Sequence, residues 1–479
     1  MEKSTDGYDD LRDWMTKVEK IGELKHVQGA SCELEIGTLT DLVCHSKRRD
    51  AVLFENIPTY PPGYRVLVNP LGAAKRMAMV VGVQAENAKE LVDALAKKMG
   101  SLTPIPPKEV EHGPVFENRS IEGPVDITKF PAPLWHLKDG GRYLGTGSVT
   151  ITRDPDDGWV NLGTYRVMVV DKDRVGFYIS PGKHGRIHRE KYFAEGRPCP
   201  VAISFGHDPL LLFVGAFEWP YGRSEYDVAG GFKGRPIEVI RGRYTNLPFP
   251  ARAELVLEGE AVAGERSPEG PFGEWTGYYA SGMREEVTIK IKAIYHRHDP
   301  IILGAPALKP PNGNSFYGAV LRSAKLKRDL QSSGVPDIVD VWFPEEGGGR
   351  FLCVVSIKQR YPGHAKQVGL LAMGNPSSAY MGRYVIVVDD DIDVTDLSDV
   401  IWAVITRTDP VRSIDVVRRL WSGPLDPILT KEDGGFSSRA IIDACRPYER
   451  LGTFPPVIEM DHEMKRKVLE KWGQVLDIS

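Results

Sequence analysis

Residues 147–180 read GSVTITRDPDDGWVNLGTYRVMVVDKDRVGFYIS. Three runs inside this stretch, 147–153, 159–170 and 174–180, are rich in Val, Ile, Thr and aromatics, with Asp, Pro and Gly between them. Branched and aromatic side chains suit a pleated surface, and the intervening residues turn the chain, so each run is predicted to be a short strand. The texture continues to about residue 305 through 201–205, 210–214, 237–240, 253–261 and 287–295. Many short strands at this spacing predict a barrel or sandwich.

The flanks read differently. Leu11, Trp14, Met15 and Val18 fall on one face of a 3.6-residue period and predict a helix; Leu91, Val92 and Leu95 do the same for 87–99. Short strand-like runs lie between them at 51–54 and 64–68. Pro104-Ile105-Pro106-Pro107 then imposes an extended linker, because each proline removes a donor and restricts its predecessor. Beyond residue 310, helical patterns at 322–332, 399–407 and 464–475 alternate with compact apolar runs at 351–357 and 384–388, which predicts parallel-sheet character. The expected class is therefore α/β, an α+β multidomain chain. It has an N-terminal α/β domain over 1–115, a β-rich domain over 116–308 and a C-terminal α/β domain over 309–479.

Hydrophobic residues make up 42% of the 479 and charged ones 26%, ordinary values for a folded soluble protein. A net charge of −4 gives no footprint for nucleic acid or an anionic membrane. The five cysteines are scattered and odd in number, which fits a reducing cytoplasm rather than a disulfide framework. Residues 1–10 are acidic and polar, unlike a secretory signal, and no run of ~20 apolar residues predicts a membrane span.

Four segments carry candidate chemistry. In 267–278, Glu269 and Glu274 lie five apart among three glycines and two prolines. A rigid loop could hold two acids at different depths and make one a proton donor, or they are solvated acids on a turn. In 161–166, Asn161-Leu162-Gly163-Thr164-Tyr165-Arg166, an arginine enters an apolar strand. It must meet an anion, either a substrate carboxylate or a structural partner. Asn161 and Arg166 would face opposite sides of an ideal strand, so Gly163 would have to allow a twist or bulge. In 180–188, Lys183 and backbone amides could face a phosphate and His184 could bind a metal; a solvated loop is the alternative. In 218–227, acids such as Glu225 could complete a site of Asn oxygen, His nitrogen and Glu oxygen suited to a hard divalent ion, or form a charged surface loop. Two weaker features follow: a basic loop at 357–366 and the acids Asp389, Asp390, Asp391 and Asp393, read as a solvated turn.

Together these segments resemble the UbiD family of prenylated-FMN-dependent decarboxylases over most of the chain. The likeness is carried, in order, by NLGTYR (161–166), SPGKH (180–184), SEYDVAG (224–230), SPEGPFGEWTGYY (267–279), IKQRYPGHAK (357–366) and VIVVDDDIDV (385–394), which runs into DVIWAVITRTDP (399–410). The resemblance implies a carboxy-lyase that reversibly decarboxylates an aromatic, heteroaromatic or α,β-unsaturated acid through a covalent adduct with prenylated FMN, which serves as the electron sink. It implies that Arg166, Glu269 and Glu274 are catalytic: Arg166 binds the carboxylate, Glu269 orients Arg166 and Glu274 donates the proton. Asn161, Leu162, Gly163, Thr164, Tyr165, Arg166, Lys183, His184 and Glu225 would bind the cofactor. Asn161, His184 and Glu225 would hold Mn2+ or Mg2+, and K+ would sit on main-chain oxygens near Trp159 and 214–217. The middle domain would be a split β-barrel like that of flavin reductases, and the C-terminal domain would assemble a homodimer or homohexamer. A flavin prenyltransferase would supply the cofactor.

One departure stands out. Some members of that family place a basic residue before strand 384–388 to meet the cofactor phosphate; here Pro376-Ser377-Ser378-Ala379 occupies the stretch. Lys183 or Lys366 would substitute, or the metal alone would hold the phosphate. Trp275 and residues 312–317 suggest a flat ring with polar contacts as substrate. Two other functions compete: an FMN-dependent oxidoreductase on the same barrel, and a non-catalytic cofactor-binding subunit of a multi-component carboxylase. Neither accounts for Arg166, Glu269 and Glu274 all being present.

Overall fold

Asp10 begins the first helix, Leu11–Lys20, by accepting the Asp13 amide at 3.0 Å, and the predicted face of Leu11, Trp14, Met15 and Val18 is buried. The computed structural model describes residues 7–476 except 122, 218, 281 and 459. The N-terminal sheet has four strands in the order Leu24–Gln28, Ala51–Glu55, Arg65–Val68 and Ile301–Gly304. Its last strand comes from far along the chain and pairs in parallel with Arg65–Val68, so the end of the β-rich segment returns to the N-terminal layer.

The central sheet has seven strands. Arg174–Gly176, Arg284–His296, Leu255–Glu269, Cys199–Phe205, Val149–Arg153 and Val160–Gly163 follow one another, and Asn118–Ile121 also pairs with Arg284–His296. Every pairing is antiparallel. Register shifts between Glu258/Gly259 and Ala261/Arg266 bulge the long pair, and such bulges increase local twist and curl a sheet.

Three expectations need correction here. Residues 210–214 are not a strand but part of the helix Pro209–Gly215, with Asp208 accepting the Leu210 amide and Pro209 in the first turn. A continuous apolar run has no period to separate a buried helix from a buried strand. Residues 159–170 are not one strand: pairing ends at Gly163 and resumes at Val167–Met168, against Tyr143–Gly145. Residues 267–278 are not all loop. Leu255–Glu269 remains a strand to its last residue, with Glu269 opposite Arg284, so Glu269 stands on a sheet and Glu274 beyond it.

The C-terminal sheet runs Ile338–Trp342, Leu352–Ile357, Tyr384–Asp389, Phe436–Ala444, Ile414–Trp421. Its three inner strands are parallel and both edges antiparallel, so parallel character holds only inside. A capping box at Asn312 and Ser315 starts the helix Gly313–Ser332 well before the predicted residue 322. The four-acid turn is partly an ion-pair cluster. Asp389 is buried and accepts from Arg407 at 3.1 Å and from Arg446 Nε at 3.0 Å, and Asp391 also pairs with Arg407. One apolar cluster joins Leu53, Val149 and Val387, uniting the layers. Among the described residues, no helix is long and apolar enough to cross a membrane.

Candidate active site

A cleft lies where the central sheet meets the C-terminal segment. Its lining includes all of Asn161, Leu162, Gly163, Thr164, Tyr165 and Arg166, with Lys183, His184, Glu225 and Glu274. The break after Gly163 makes this possible. A Cβ on Gly163 would fall 2.3 Å from Tyr165 Cζ, and one on Gly185 2.7 Å from Tyr165 Cε2. The Tyr165 ring thus lies over both glycines, and its hydroxyl accepts the Gly185 amide at 3.2 Å. Tyr165 ties the strand end bearing Asn161 to the helix His184–Ala194, whose first residue is His184. His184 therefore opens a helix instead of sitting in a loop.

Arg166 joins the two acids. Its Nε and Nη2 donate to Glu269 Oε1 and Oε2, both at 2.8 Å, and its Nη1 donates to Glu274 Oε1 at 2.8 Å. The guanidinium lies over Tyr178 (4.7 Å) and near Phe272 (5.7 Å). Glu269 is buried behind it and also accepts from the Tyr143 hydroxyl at 3.0 Å. Glu274 reaches the cleft wall. Burial raises its proton affinity above the usual carboxyl range, against the opposing charge of Arg166. The pair therefore splits: one acid is clamped by a fork of charged donors, and the other is poised to carry a proton.

Asn161, His184 and Glu225 also line the cleft. Glu225 is buried at the start of the helix Glu225–Lys233 and accepts the Leu162 amide at 2.7 Å. Burial pushes its carboxyl up to about 8, against the Leu162 amide it accepts, and the charge of Asp227 adds to the rise. Asn161 Nδ2 is buried and, among the described residues, lacks a hydrogen-bond partner; exchanging the amide's N and O would present an oxygen at the same place. An amide whose nitrogen is unmet, an imidazole and a carboxylate together suit a hard divalent ion. Among the described residues no three His, Cys, Asp or Glu gather to hold a metal, so the amide is essential to this set. Trp159 packs against His184 (5.0 Å), His188 (4.8 Å) and Tyr221 (4.8 Å), steadying the His184 side.

Of the two candidate phosphate partners, Lys183 lines the cleft, whereas Lys366 does not and pairs with Asp415. Glu218, at the head of segment 218–227, lies outside the described residues. Thr146, Trp275, Ala305, Asn314, Tyr317 and Leu425 also line the cleft. Trp275 packs against Phe351 with the rings tilted and their centroids 5.0 Å apart, and Gly348 leaves room for the indole. Asn314 Nδ2 donates to the carbonyls of Ala305 (3.1 Å) and Pro306 (3.2 Å). Sequence reasoning missed Tyr143, Tyr178 and Leu425. Tyr143 stands in a three-residue strand, and nothing local marks its hydroxyl as facing Glu269.

The fold and much of the sequence are shared with other proteins. Models of the 3-octaprenyl-4-hydroxybenzoate carboxy-lyase (UbiD) family match three consecutive parts of the chain: the N-terminal domain at 15–95, the Rift-related domain at 108–310 and the C-terminal domain at 315–444. A phenolic acid decarboxylase of Bacillus subtilis is 34% identical, covering 92% of this chain and 93% of that protein. A pyrrole-2-carboxylic acid decarboxylase of Pseudomonas aeruginosa is 31% identical over 97% of each. Among solved structures, the UbiD-class enzyme HmfF from Pelotomaculum thermopropionicum in complex with FMN superposes with a TM-score of 0.86 at 28% identity, covering 96% of this chain and 99% of that one.

Proposed function

We propose, since this chain belongs to the UbiD family of carboxy-lyases, that it removes CO2 from a small aromatic, heteroaromatic or α,β-unsaturated acid with prenylated FMN in the cleft. The observation that carries the proposal is the division of labour around Arg166. Three of its five N–H donors are committed to Glu269 and Glu274, which leaves one on each terminal nitrogen for a substrate carboxylate. Glu269, inaccessible behind the guanidinium, fixes its orientation. Glu274, whose proton affinity is raised by burial, delivers a proton to the carbon that CO2 leaves. When bound, the prenylated flavin supplies the electron sink for the pair released with CO2.

Asn161, His184 and Glu225 would hold Mn2+ or Mg2+ beside the cofactor phosphate, with Lys183 as its basic neighbour. Potassium would lie on main-chain oxygens near Trp159 and 214–217. Several of these oxygens already accept hydrogen bonds: Trp159 from the Asp154 amide at 2.8 Å, Val214 from the Trp219 indole at 2.9 Å and Gly215 from the Thr164 amide at 3.2 Å. Asn314, its amide hydrogens committed to Ala305 and Pro306, keeps its oxygen as an acceptor for a ring N–H or O–H. Pyrrole-2-carboxylic and phenolic acids, the substrates named for two relatives, both carry such a donor.

The proposal extends to assembly. Ile401, Trp402 and Ile405 are exposed, as are Val468, Leu469 and Trp472 of the helix His462–Leu476. A helix whose apolar face is left uncovered gains by burying it, here against a second copy of the chain in a homodimer or homohexamer. The curled central sheet would serve as a split barrel for the cofactor, between α/β domains ending near 115 and beginning near 309. All five cysteines are buried and unpaired, which suits the reducing cytoplasm.

The test is production alongside a flavin prenyltransferase, mass spectrometry of the bound flavin, and CO2 release from a panel of hydroxybenzoic, pyrrole and furan carboxylic acids. Loaded protein that decarboxylates none of them, or that oxidises reduced nicotinamide instead, would overturn the proposal.

A further inference from the structure

Two carboxyl groups share Arg166, yet the chemistry needs the proton on only one of them. A proton on Glu269 would be wasted, because that group faces away from the cleft and would lose its grip on the guanidinium. Tyr143 touches only this partner. It is fully buried, its ring packs on Phe272 at 4.1 Å, and its hydroxyl donates to Glu269 Oε1 at 3.0 Å. The Trp135 indole fixes the backbone at the same residue by donating to the Tyr143 carbonyl at 3.1 Å. We propose that Tyr143 is a positioning residue that assigns the site's proton to Glu274 by holding Glu269 as the anion. The inference rests on Glu274 being the proton donor.

The physical basis is asymmetry. A phenol can only give a hydrogen bond to a carboxylate, and that bond is stronger to the anion than to the acid. Burial and the neighbouring Glu269 both keep the phenol itself protonated, so its donor is permanent. The other charged or polar groups around Glu269 are Arg166 and, from the facing strand, Arg284, whose Nε lies 3.8 Å from Glu269 Oε2. Arg284 in turn lies over Tyr178 at 3.8 Å. Asp139, which acts on Tyr143, is engaged by His136 at 3.0 Å. Arg166 favours Glu269 with two bonds against one to Glu274, but it touches both acids. Tyr143, which touches Glu269 alone, sharpens the distinction.

Tyr143→Phe keeps the ring and deletes the donor. A hydrogen bond to a charged group typically corresponds to about one to two pH units of proton affinity. The acid limb of the turnover profile should therefore move up by about that much, and its plateau should fall, because part of the population carries the proton on Glu269. Flavin content and melting temperature serve as controls. A second readout needs no cofactor: pH-difference infrared spectra of flavin-free protein should show a protonated-carboxyl band that Glu274→Gln removes in the wild-type background. In the Tyr143→Phe background, a second band should survive Glu274→Gln. If Tyr143→Phe does not fold, site-specific 3-fluorotyrosine at 143, a stronger donor of nearly the same shape, should move the acid limb down instead. An unmoved limb and an unchanged band in either variant would overturn the role of Tyr143. Undiminished turnover in Glu274→Gln would instead overturn the donor assignment on which it rests, so the two failures are distinguishable.

Discussion

Glu274→Gln should abolish proton delivery while leaving the site assembled. Glutamine offers an oxygen to Arg166 Nη1 where Glu274 now accepts at 2.8 Å, and Arg166 keeps both bonds to Glu269. The carboxylate-binding face of the guanidinium is therefore preserved, and KM should change little. What disappears is the ionisable carboxyl, whose protonated form burial favours. General acid catalysis typically contributes ~10²–10⁴-fold, or about 3–5 kcal/mol of barrier, and kcat should fall by that factor. Glu269→Gln should behave differently. It withdraws the charge that Arg166 grips with two nitrogens, so the guanidinium pairs instead with an ionised Glu274. Both binding and proton donation then suffer: KM rises and kcat falls. The assay is deuterium incorporation into product in heavy water, followed by NMR, beside CO2 release. Exchange at the wild-type rate in Glu274→Gln, with flavin bound, would refute the assignment and leave Glu269 as the better candidate.

Three further outcomes follow from the same geometry. Gly163→Ala places a Cβ against Tyr165, and overpacking of this kind costs ~1–3 kcal/mol; flavin content should drop with the melting temperature, and full flavin occupancy would show that the Tyr165 clamp is dispensable. Burial pulls His207 down to about 4 from an ordinary 6.5, so between those values the unfolded chain binds a proton that the native one does not. Stability should then fall as pH drops through that window, by about 3 kcal/mol at most for this group, and urea midpoints should depend less steeply on pH in His207→Gln. Trp472→Glu, at a 46% exposed site on the C-terminal helix, should lower the mass seen by light scattering without altering the monomer's circular dichroism; an unchanged mass would remove that helix from the interface.

Local pattern by itself determined a good deal. The period of Leu11, Trp14, Met15 and Val18, the alternation of β-branched runs through the middle of the chain and the ordered motifs placed this protein in its class, because periodicity and turn chemistry are written within a few residues of where they act. The odd spacing of Asn161 and Arg166 called for a twist or bulge at Gly163; the strand pairing ends there instead, which serves the same purpose. Other features needed the tertiary structure. Residues 210–214 are apolar throughout, and only packing on all sides selects helix over strand. Glu269 and Glu274 look like one loop in sequence, but the pairing of Glu269 with Arg284 separates a clamped acid on a sheet from a second acid at the cleft, the one proposed to carry the proton. Tyr143 meets Glu269 across 126 residues, a contact no local signal records, because proton affinity depends on what the fold brings within hydrogen-bonding distance rather than on what lies adjacent in the chain.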